Sequence, residues 1–264
     1  MTVLGVAGFA AVGWTPGGSG ELSNEAGATA SAEPSPERSR RSPSPGSTPT
    51  RSPSASPSTS PSKSPNTSSP GSSQVTIPET GPGTFTTASG GSGKVGEGVP
   101  LRYRVDVEKG LSLSAADVAE QVERILADPR GWTADGDSAF QRVSGGRTDF
   151  VVKVATPGTV DDICGEYGLN TRGEVNCNVG RNVMVNLKRW ELATPVYAKD
   201  IEAYRALIIN HEVGHFLGHG HVGCRGKGKP APAMMQQIKG MDGCVPNVWP
   251  YDAKGRLITG PAVP

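Results

Sequence analysis

Alternation of apolar and polar side chains is clearest in the segment LRYRVDV, residues 101–107. Its Leu, Tyr and two Val residues fall on one face of an extended chain, and its two Arg residues and Asp fall on the other. Because successive side chains of a strand point to opposite faces of a sheet, this period of two predicts a half-buried strand. FVVKVAT at 150–156 and VMVNL at 183–187 predict further strands.

Two other segments carry apolar residues at helical spacing. Ser114-Ala-Ala-Asp117 forms a capping box, and apolar residues follow at 118, 122, 125 and 126, which predicts a helix that ends near Asp128-Pro129. A second helix is predicted from about Asp200 to Leu217. One stripe of that helix contains Ile201, Tyr204, Ile208, His211 and His215.

The order of strand, helix, strands and helix predicts an α+β fold with a small twisted mixed sheet and two main helices. The chain after residue 218 is rich in Gly and Pro, so the C-terminal part is expected to be mostly irregular. We place this folded unit at residues 75–264, a length that can bury a sizeable core.

The region before residue 75 has a different composition. Residues 1–14 contain a twelve-residue apolar run, VLGVAGFAAVGW, which is too short to span a bilayer comfortably and has the length of a signal-peptide core. No Lys or Arg precedes it, so we interpret it as a truncated signal peptide, with a membrane anchor or tether as the alternative. Residues 15–74 are predicted to be a disordered linker, because Ser, Pro and Thr dominate the segment from residue 31 onward.

Charge and cysteine content narrow the function classes. The chain has 26 Lys and Arg against 25 Asp and Glu, and this balance gives no electrostatic argument for nucleic-acid binding. Its four cysteines fit disulfides in an exported protein, and three connectivities are possible. We predict the sequence-local pairs, Cys164 with Cys177 and Cys224 with Cys244; four buried free thiols are the alternative.

All four histidines of the chain lie in the stretch HEVGHFLGHGH, residues 211–221. His211 and His215 are four residues apart on the predicted helix, so both imidazoles can reach one zinc ion. Glu212 lies roughly 100° around the helix, where it is poorly placed as a ligand and well placed to accept a proton from a water molecule at the metal.

A catalytic zinc takes three protein ligands, and the candidates for the third are His219 and His221. On a continuous helix, His221 would lie about 9 Å beyond His215 along the axis and could not reach the metal. We therefore predict that the chain turns at Gly218, since glycine adopts the left-handed conformation that ends helices.

The spacing H-E-x-x-H-x-x-G-x-x-H resembles the signature of the metzincins, a class of zinc metallopeptidases. The resemblance implies a zincin-like fold, His221 as the third ligand and a methionine turn below the metal. By that resemblance the turn is formed by Met235 in the run Ala-Met-Met, with Met234 as the alternative. The stretches NHEVGHFLGHGHVGC, PAPAMMQQ and GCVPNVWPY are also similar to an uncharacterised family of exported bacterial zincin-like proteins.

The sequence departs from some metzincins, because Gln237 stands where astacin-like members have a tyrosine. By analogy with metzincins, VMVNL is a candidate for the edge strand that holds an extended substrate. A bridge between Cys224 and Cys244 would close the loop that carries the methionine turn.

The expected function is therefore zinc-dependent peptide-bond hydrolysis by a secreted or cell-envelope metalloendopeptidase. We expect the protein to be a monomer that acts on a peptide or protein substrate. One alternative is a non-catalytic domain, stapled by zinc, that binds the cell envelope. A second is a hydrolase acting on a non-peptide amide.

Overall fold

A mixed seven-stranded sheet organises residues 75–263, the part of the chain that the computed structural model describes. The segments 1–14 and 15–74, predicted as a leader or anchor and a linker, lie outside the described residues. The strands are β1 (Phe85–Thr87), β2 (Val95–Gly96), β3 (Pro100–Glu108), β4 (Ala139–Arg142), β5 (Phe150–Ala155), β6 (Cys177–Val179) and β7 (Asn182–Asn186). The helices are α1 (Ala115–Ala127), α2 (Pro157–Gly165), α3 (Leu187–Leu192) and α4 (Ile201–Phe216).

The strand order is β2-β4-β3-β5-β7-β6, and β1 pairs with the second half of β3. Strands β4, β3, β5 and β7 run parallel, whereas β1, β2 and β6 pair antiparallel with their neighbours. The expectation that VMVNL forms the edge is wrong, because β7 pairs with both β5 and β6. The short strand β6 lies at that edge instead.

The three strands and two helices predicted from the sequence are confirmed with small shifts at their ends. They are β3, β5, β7, α1 and α4. The Ser114 hydroxyl caps α1 by accepting a hydrogen bond from the amide of Asp117, and Asp200 caps α4 by accepting one from Ala203. A mixed α/β architecture is therefore present, with a sheet larger than predicted and two additional helices.

Helix α2 shows why the prediction of two main helices was incomplete. It begins with Pro157-Gly158, a pair that is typical of turns in a sequence. In the structure the proline occupies the first turn of the helix, where its missing amide hydrogen is not needed. The Thr156 hydroxyl accepts a hydrogen bond from Thr159 and caps the helix.

Helices α1 and α4 share one hydrophobic core with one face of the sheet, and a smaller cluster that includes α2 residues lies at the β6–β7 end. The central strands contribute residues such as Val105, Val152 and Val185 to the larger core, while Met184 belongs to the smaller one. Helix α4 is thereby fixed against the sheet near the edge formed by β6.

The chain after α4 is mostly irregular, as predicted, apart from a 3₁₀ turn at Gln237–Lys239 and isolated bridges. A disulfide between Cys224 and Cys244 closes this region, and Cys164 is bonded to Cys177 on the other side of α4 in sequence. The predicted connectivity is therefore confirmed. Of the helices described for residues 75–263, none is long and apolar enough to cross a membrane.

Candidate metal centre

Helix α4 places two histidines on one face near its C-terminus. His211 and His215 are one helical turn apart, and their Nε2 atoms lie 3.2 Å from each other. Much of the surface of α4 is buried in the domain core. Packing therefore stabilises this helix, and it does not need an exposed polar face. It therefore holds both imidazoles on a rigid element.

The turn at Gly218 brings in the third histidine. Gly218 has φ +92°, and its amide donates a hydrogen bond to the His215 carbonyl, while the His219 amide donates to Gly214. These are the two bonds of a Schellman motif, which ends a helix with a left-handed residue. Beyond the turn, His221 returns toward α4, and its Nε2 lies 3.1 Å from Nε2 of His215.

Two backbone carbonyls fix the orientation of the helical histidines. Nδ1 of His211 lies 2.8 Å from the Ala233 carbonyl oxygen, and Nδ1 of His215 lies 2.9 Å from that of His219. Because a carbonyl oxygen only accepts, each Nδ1 carries the proton and donates it. The Nε2 lone pairs are then left without protons and face one another.

Facing lone pairs repel unless a cation lies between them, so this donor set fits a metal ion. The three ligand atoms of His211, His215 and His221 lie within 4.8 Å of one another. Two imidazole nitrogens bonded tetrahedrally to one zinc at about 2.0–2.1 Å would be about 3.3 Å apart. The two separations from Nε2 of His215, 3.2 Å to His211 and 3.1 Å to His221, are close to that value.

The protonation state of the histidines also suits metal binding. Burial, helped by the neighbouring His215 and His221, lowers the pKa of His211 to about 3. Burial lowers the pKa of His215 and of His221 as well. All three imidazoles are therefore neutral near pH 7, which is the form that ligates metals.

Glu212 lies beside the three histidines without joining them. Its residue is 5% exposed, and it lines a cleft of about 640 Å³ that the histidines also line. Burial raises the pKa of Glu212 to about 8. A bound cation would act in the opposite direction, because positive charge favours the carboxylate.

The two methionines predicted for the turn point to different places. Met235 lines the cleft with the histidines and packs in a small cluster with Ala231 and Cys244. Met234 belongs to the main core, where its sulfur and the Trp132 ring occupy the space next to Gly214. Of the two, only Met235 lines the cleft of His211, His215 and His221, and its role as the turn methionine stays a prediction.

The structure gives His219 a position that the sequence left open. Its ring stacks on Trp132 with 4.3 Å between ring centroids, so its side chain lies outside the three-histidine group. The Trp132 indole in turn donates a hydrogen bond to the Asn210 carbonyl at 2.8 Å. Trp132 lies 78 residues before Asn210 in the chain. No sequence signal identified it as a residue that supports the site.

Gln237 stands where astacin-like members have a tyrosine, and its side-chain amide is fully hydrogen-bonded within the protein. Its Oε1 accepts a hydrogen bond from the Tyr197 hydroxyl, and its Nε2 donates to the carbonyls of Pro232 and Asn247. These bonds anchor the turn around Met235. They leave the amide with no free donor for a substrate in the cleft.

Comparisons with known proteins identify a family for this chain but indicate no activity. No curated protein and no solved structure matches the chain. A family model described as "Protein of unknown function (DUF3152)" matches residues 70–252, a range that includes every histidine of the site. Because this match covers more than half of the 264 residues, the chain belongs to the DUF3152 family.

Proposed function

We propose that this protein is a zinc-dependent metalloendopeptidase with a zincin-like fold. The observation that carries the proposal is the convergence of three imidazole nitrogens next to a buried glutamate in one open cleft. Three protein ligands and an accessible side are typical of catalytic zinc sites, whereas structural sites are closed by four ligands.

The identity of the metal follows from the ligand set. Three neutral imidazoles, two of which donate a hydrogen bond from Nδ1 to a backbone carbonyl, suit zinc, which binds nitrogen ligands in tetrahedral geometry. Carbonyl partners such as that of Ala233 are the usual means of orienting a zinc-bound histidine. Hard cations such as Mg²⁺ and Ca²⁺ prefer oxygen ligands instead.

The roles of the residues follow from their positions. Zinc held by His211, His215 and His221 would supply a Lewis acid that polarises the scissile carbonyl and lowers the pKa of a coordinated water. Glu212 accepts a proton from the attacking water and returns it to the leaving amine. Glu212 forms no salt bridge with the described residues, so its carboxylate is not neutralised by a neighbouring cation.

Three features support the zincin-like assignment. The motif helix α4 packs against a mixed sheet, the edge strand β6 contributes Cys177 to the cleft, and Met235 lies in a turn that also lines it. The two disulfides support action outside the cytoplasm, where such bonds persist.

The rival function, a non-catalytic domain stapled by zinc, requires a closed site with His219 as the fourth ligand. The stacking of His219 on Trp132 provides no such ligand. That function also leaves the buried carboxylate of Glu212 without a role.

The test is cleavage of a peptide library by the purified full-length protein, with products identified by mass spectrometry. We expect cleavage that is abolished by a zinc chelator and restored by zinc. Glu212→Ala protein should bind one zinc per chain and lose cleavage. Glu202→Gln, on the exposed first turn of the same helix, is the matched control and should keep both. Undiminished cleavage by the Glu212→Ala protein would contradict the proposal.

A further inference from the structure

Two disulfide-closed loops line the cleft beside helix α4. The loop between Cys164 and Cys177 contributes residues 169–172 and 174–177, and the loop between Cys224 and Cys244 contributes residues 235–239. Tyr204, Leu207 and Ile208 of α4 provide an apolar lining between the metal ligands and these loops. Any substrate in the cleft therefore contacts side chains that each disulfide helps to hold.

Each loop places one exposed cation on the cleft. Arg172 is exposed and has φ +54°, a conformation uncommon for a residue other than glycine. Its flanking residues are held in place, because the Thr171 hydroxyl and the Gly173 amide both donate hydrogen bonds to Asp161. The guanidinium group of Arg172 makes no salt bridge with the described residues.

The second cation, Lys239, lies near the metal ligands. Its ammonium group donates a hydrogen bond to the Gln236 side chain at 2.8 Å, and it makes no salt bridge within the described part of the chain. It lines the same cleft as His211, His215 and His221. Lys239 therefore projects positive charge into the region where a bound peptide would pass the metal.

The acidic residues of the cleft do not balance these cations. Apart from the buried Glu212, the acidic lining residue is Glu174. Glu174 already forms salt bridges with Lys188 and Arg189, and the hydrogen bond from Lys188 lowers the pKa of its carboxyl group. Arg172 and Lys239 are therefore exposed charges of the cleft lining that no described residue neutralises by a salt bridge, although the whole chain is nearly neutral.

We propose that the cleft selects acidic peptides, with Arg172 and Lys239 binding carboxylate side chains of the substrate on the two disulfide-closed loops. Clefts lined by one sign of charge concentrate ligands of the opposite sign. An arginine adds bidentate geometry toward a carboxylate, which a general positive potential does not supply. This inference rests on the proposed peptidase function for its substrate, but not for the binding that tests it.

The experiment compares two fluorescent decapeptides that are identical except for Glu or Gln at three positions. Their affinities are measured by fluorescence anisotropy with zinc-loaded, full-length Glu212→Ala protein, so that hydrolysis cannot interfere. We expect the acidic peptide to bind about five- to tenfold tighter at low salt, from two partly exposed ion pairs. The difference should shrink at 0.5 M salt, because exposed charges are then strongly screened.

The variants decide whether the two named residues are responsible. Adding Arg172→Gln and Lys239→Gln should bring the two affinities together, mainly by weakening the acidic peptide. The matched control carries Lys109→Gln and Lys254→Gln, which remove two exposed charges outside the cleft, and it should keep the preference. Equal affinities in the parent protein, or a preference that survives the cleft variants, would overturn the inference.

A cleavage arm separates this inference from the proposed function. If the protein cleaves Glu and Gln peptides equally well and binds them equally, the peptidase stands and the acidic preference falls. If charge-dependent binding through Arg172 and Lys239 is observed without any cleavage, the acidic ligand preference stands and the peptidase function falls.

Discussion

The side chain of His215 donates from Nδ1 to the backbone carbonyl oxygen of His219, across the turn that ends helix α4, at 2.9 Å. His219, the residue that follows the turning glycine, therefore contributes its backbone to the site. Its imidazole, stacked on the buried Trp132, contributes by holding that backbone in place. The two functions of His219 can be separated by mutation.

His219→Phe should keep zinc affinity within about threefold of the parent protein, because the carbonyl remains and a phenyl ring can still stack on Trp132. His219→Gly should weaken zinc binding by about tenfold, the lower range for losing the support of a ligand's hydrogen-bond partner. Competition with a chromophoric chelator measures both affinities. A loss of a hundredfold or more in His219→Phe would instead identify the imidazole as a metal ligand.

Replacing either of two glycines of the motif by alanine should destabilise the protein, but for different reasons. A Cβ atom at Gly214 would lie 2.3 Å from the Met234 sulfur and 2.6 Å from a Trp132 ring carbon. A Cβ at Gly218 would meet no atom within 4 Å, but the backbone there has φ +92°. The first position is restricted by packing, and the second by conformation.

Gly214→Ala should lower the free energy of unfolding by about 1–3 kcal/mol through overpacking. Gly218→Ala should lower it by about 1–2 kcal/mol through backbone strain. Urea denaturation of the zinc-loaded proteins measures both changes. Met234→Ala should relieve part of the Gly214→Ala defect, and Gly218→Asn should cost less than Gly218→Ala, since asparagine tolerates the left-handed region. Rescue of Gly218→Ala by Met234→Ala would contradict this distinction.

The sequence predicted the elements whose signals are local. The capping box at Ser114, the alternation in β3 and the spacing of the histidines all report on neighbouring residues, and each led to a correct element. Strands β1, β2 and β6 are only two or three residues long, which is too short to show a period.

The missed features depend on tertiary contacts. Strand order decided that β6 and not β7 is the edge, although Val183, Met184 and Val185 form a continuous apolar run that is typical of an interior parallel strand. Trp132 reaches the site from a short 3₁₀ helix and Arg172 from a turn, and the local sequence does not specify the path of either segment. Interpreting this apolar run as an interior strand would have predicted correctly that VMVNL is not the edge strand.

The disulfide between Cys224 and Cys244 is expected to stabilise both the fold and the metal site. It closes a loop that contains Met235 and the Ala233 carbonyl that orients His211. Replacing both cysteines by alanine should lower the free energy of unfolding by about 3 kcal/mol in the chain-entropy description. It should also weaken zinc binding, because the Ala233 carbonyl is less firmly placed.

The other disulfide provides the matched control. Replacing Cys164 and Cys177 by alanine should cost a similar free energy of unfolding, since the loop lengths are comparable. Zinc affinity should change little, because that loop orients none of the three histidines. Urea denaturation and chelator competition on the two double variants test the pair. Equal losses of zinc affinity would show that the metal site responds only to global stability.

The C-terminal residues hold the third histidine through backbone hydrogen bonds. The Val263 amide donates to the His221 carbonyl at 3.1 Å, and the Gly223 amide donates to the Pro261 carbonyl at 2.8 Å. Gly260 passes so close to Gly223 that a Cβ atom would lie 1.9 Å from its carbonyl oxygen. This segment follows the range matched by the family model and still contacts the metal site.

Gly260→Ala should therefore displace the C-terminal segment and weaken zinc binding by about tenfold, the lower range for lost ligand support. The free energy of unfolding should change by less, because residues 261–263 are exposed and bury little apolar surface. Val263→Ala, which keeps the backbone amide, is the control and should bind zinc like the parent protein. Chelator competition and urea denaturation give the two quantities for each variant. Unchanged zinc affinity in Gly260→Ala would mean that α4 and the turn at Gly218 position His221 without help from the C-terminal segment.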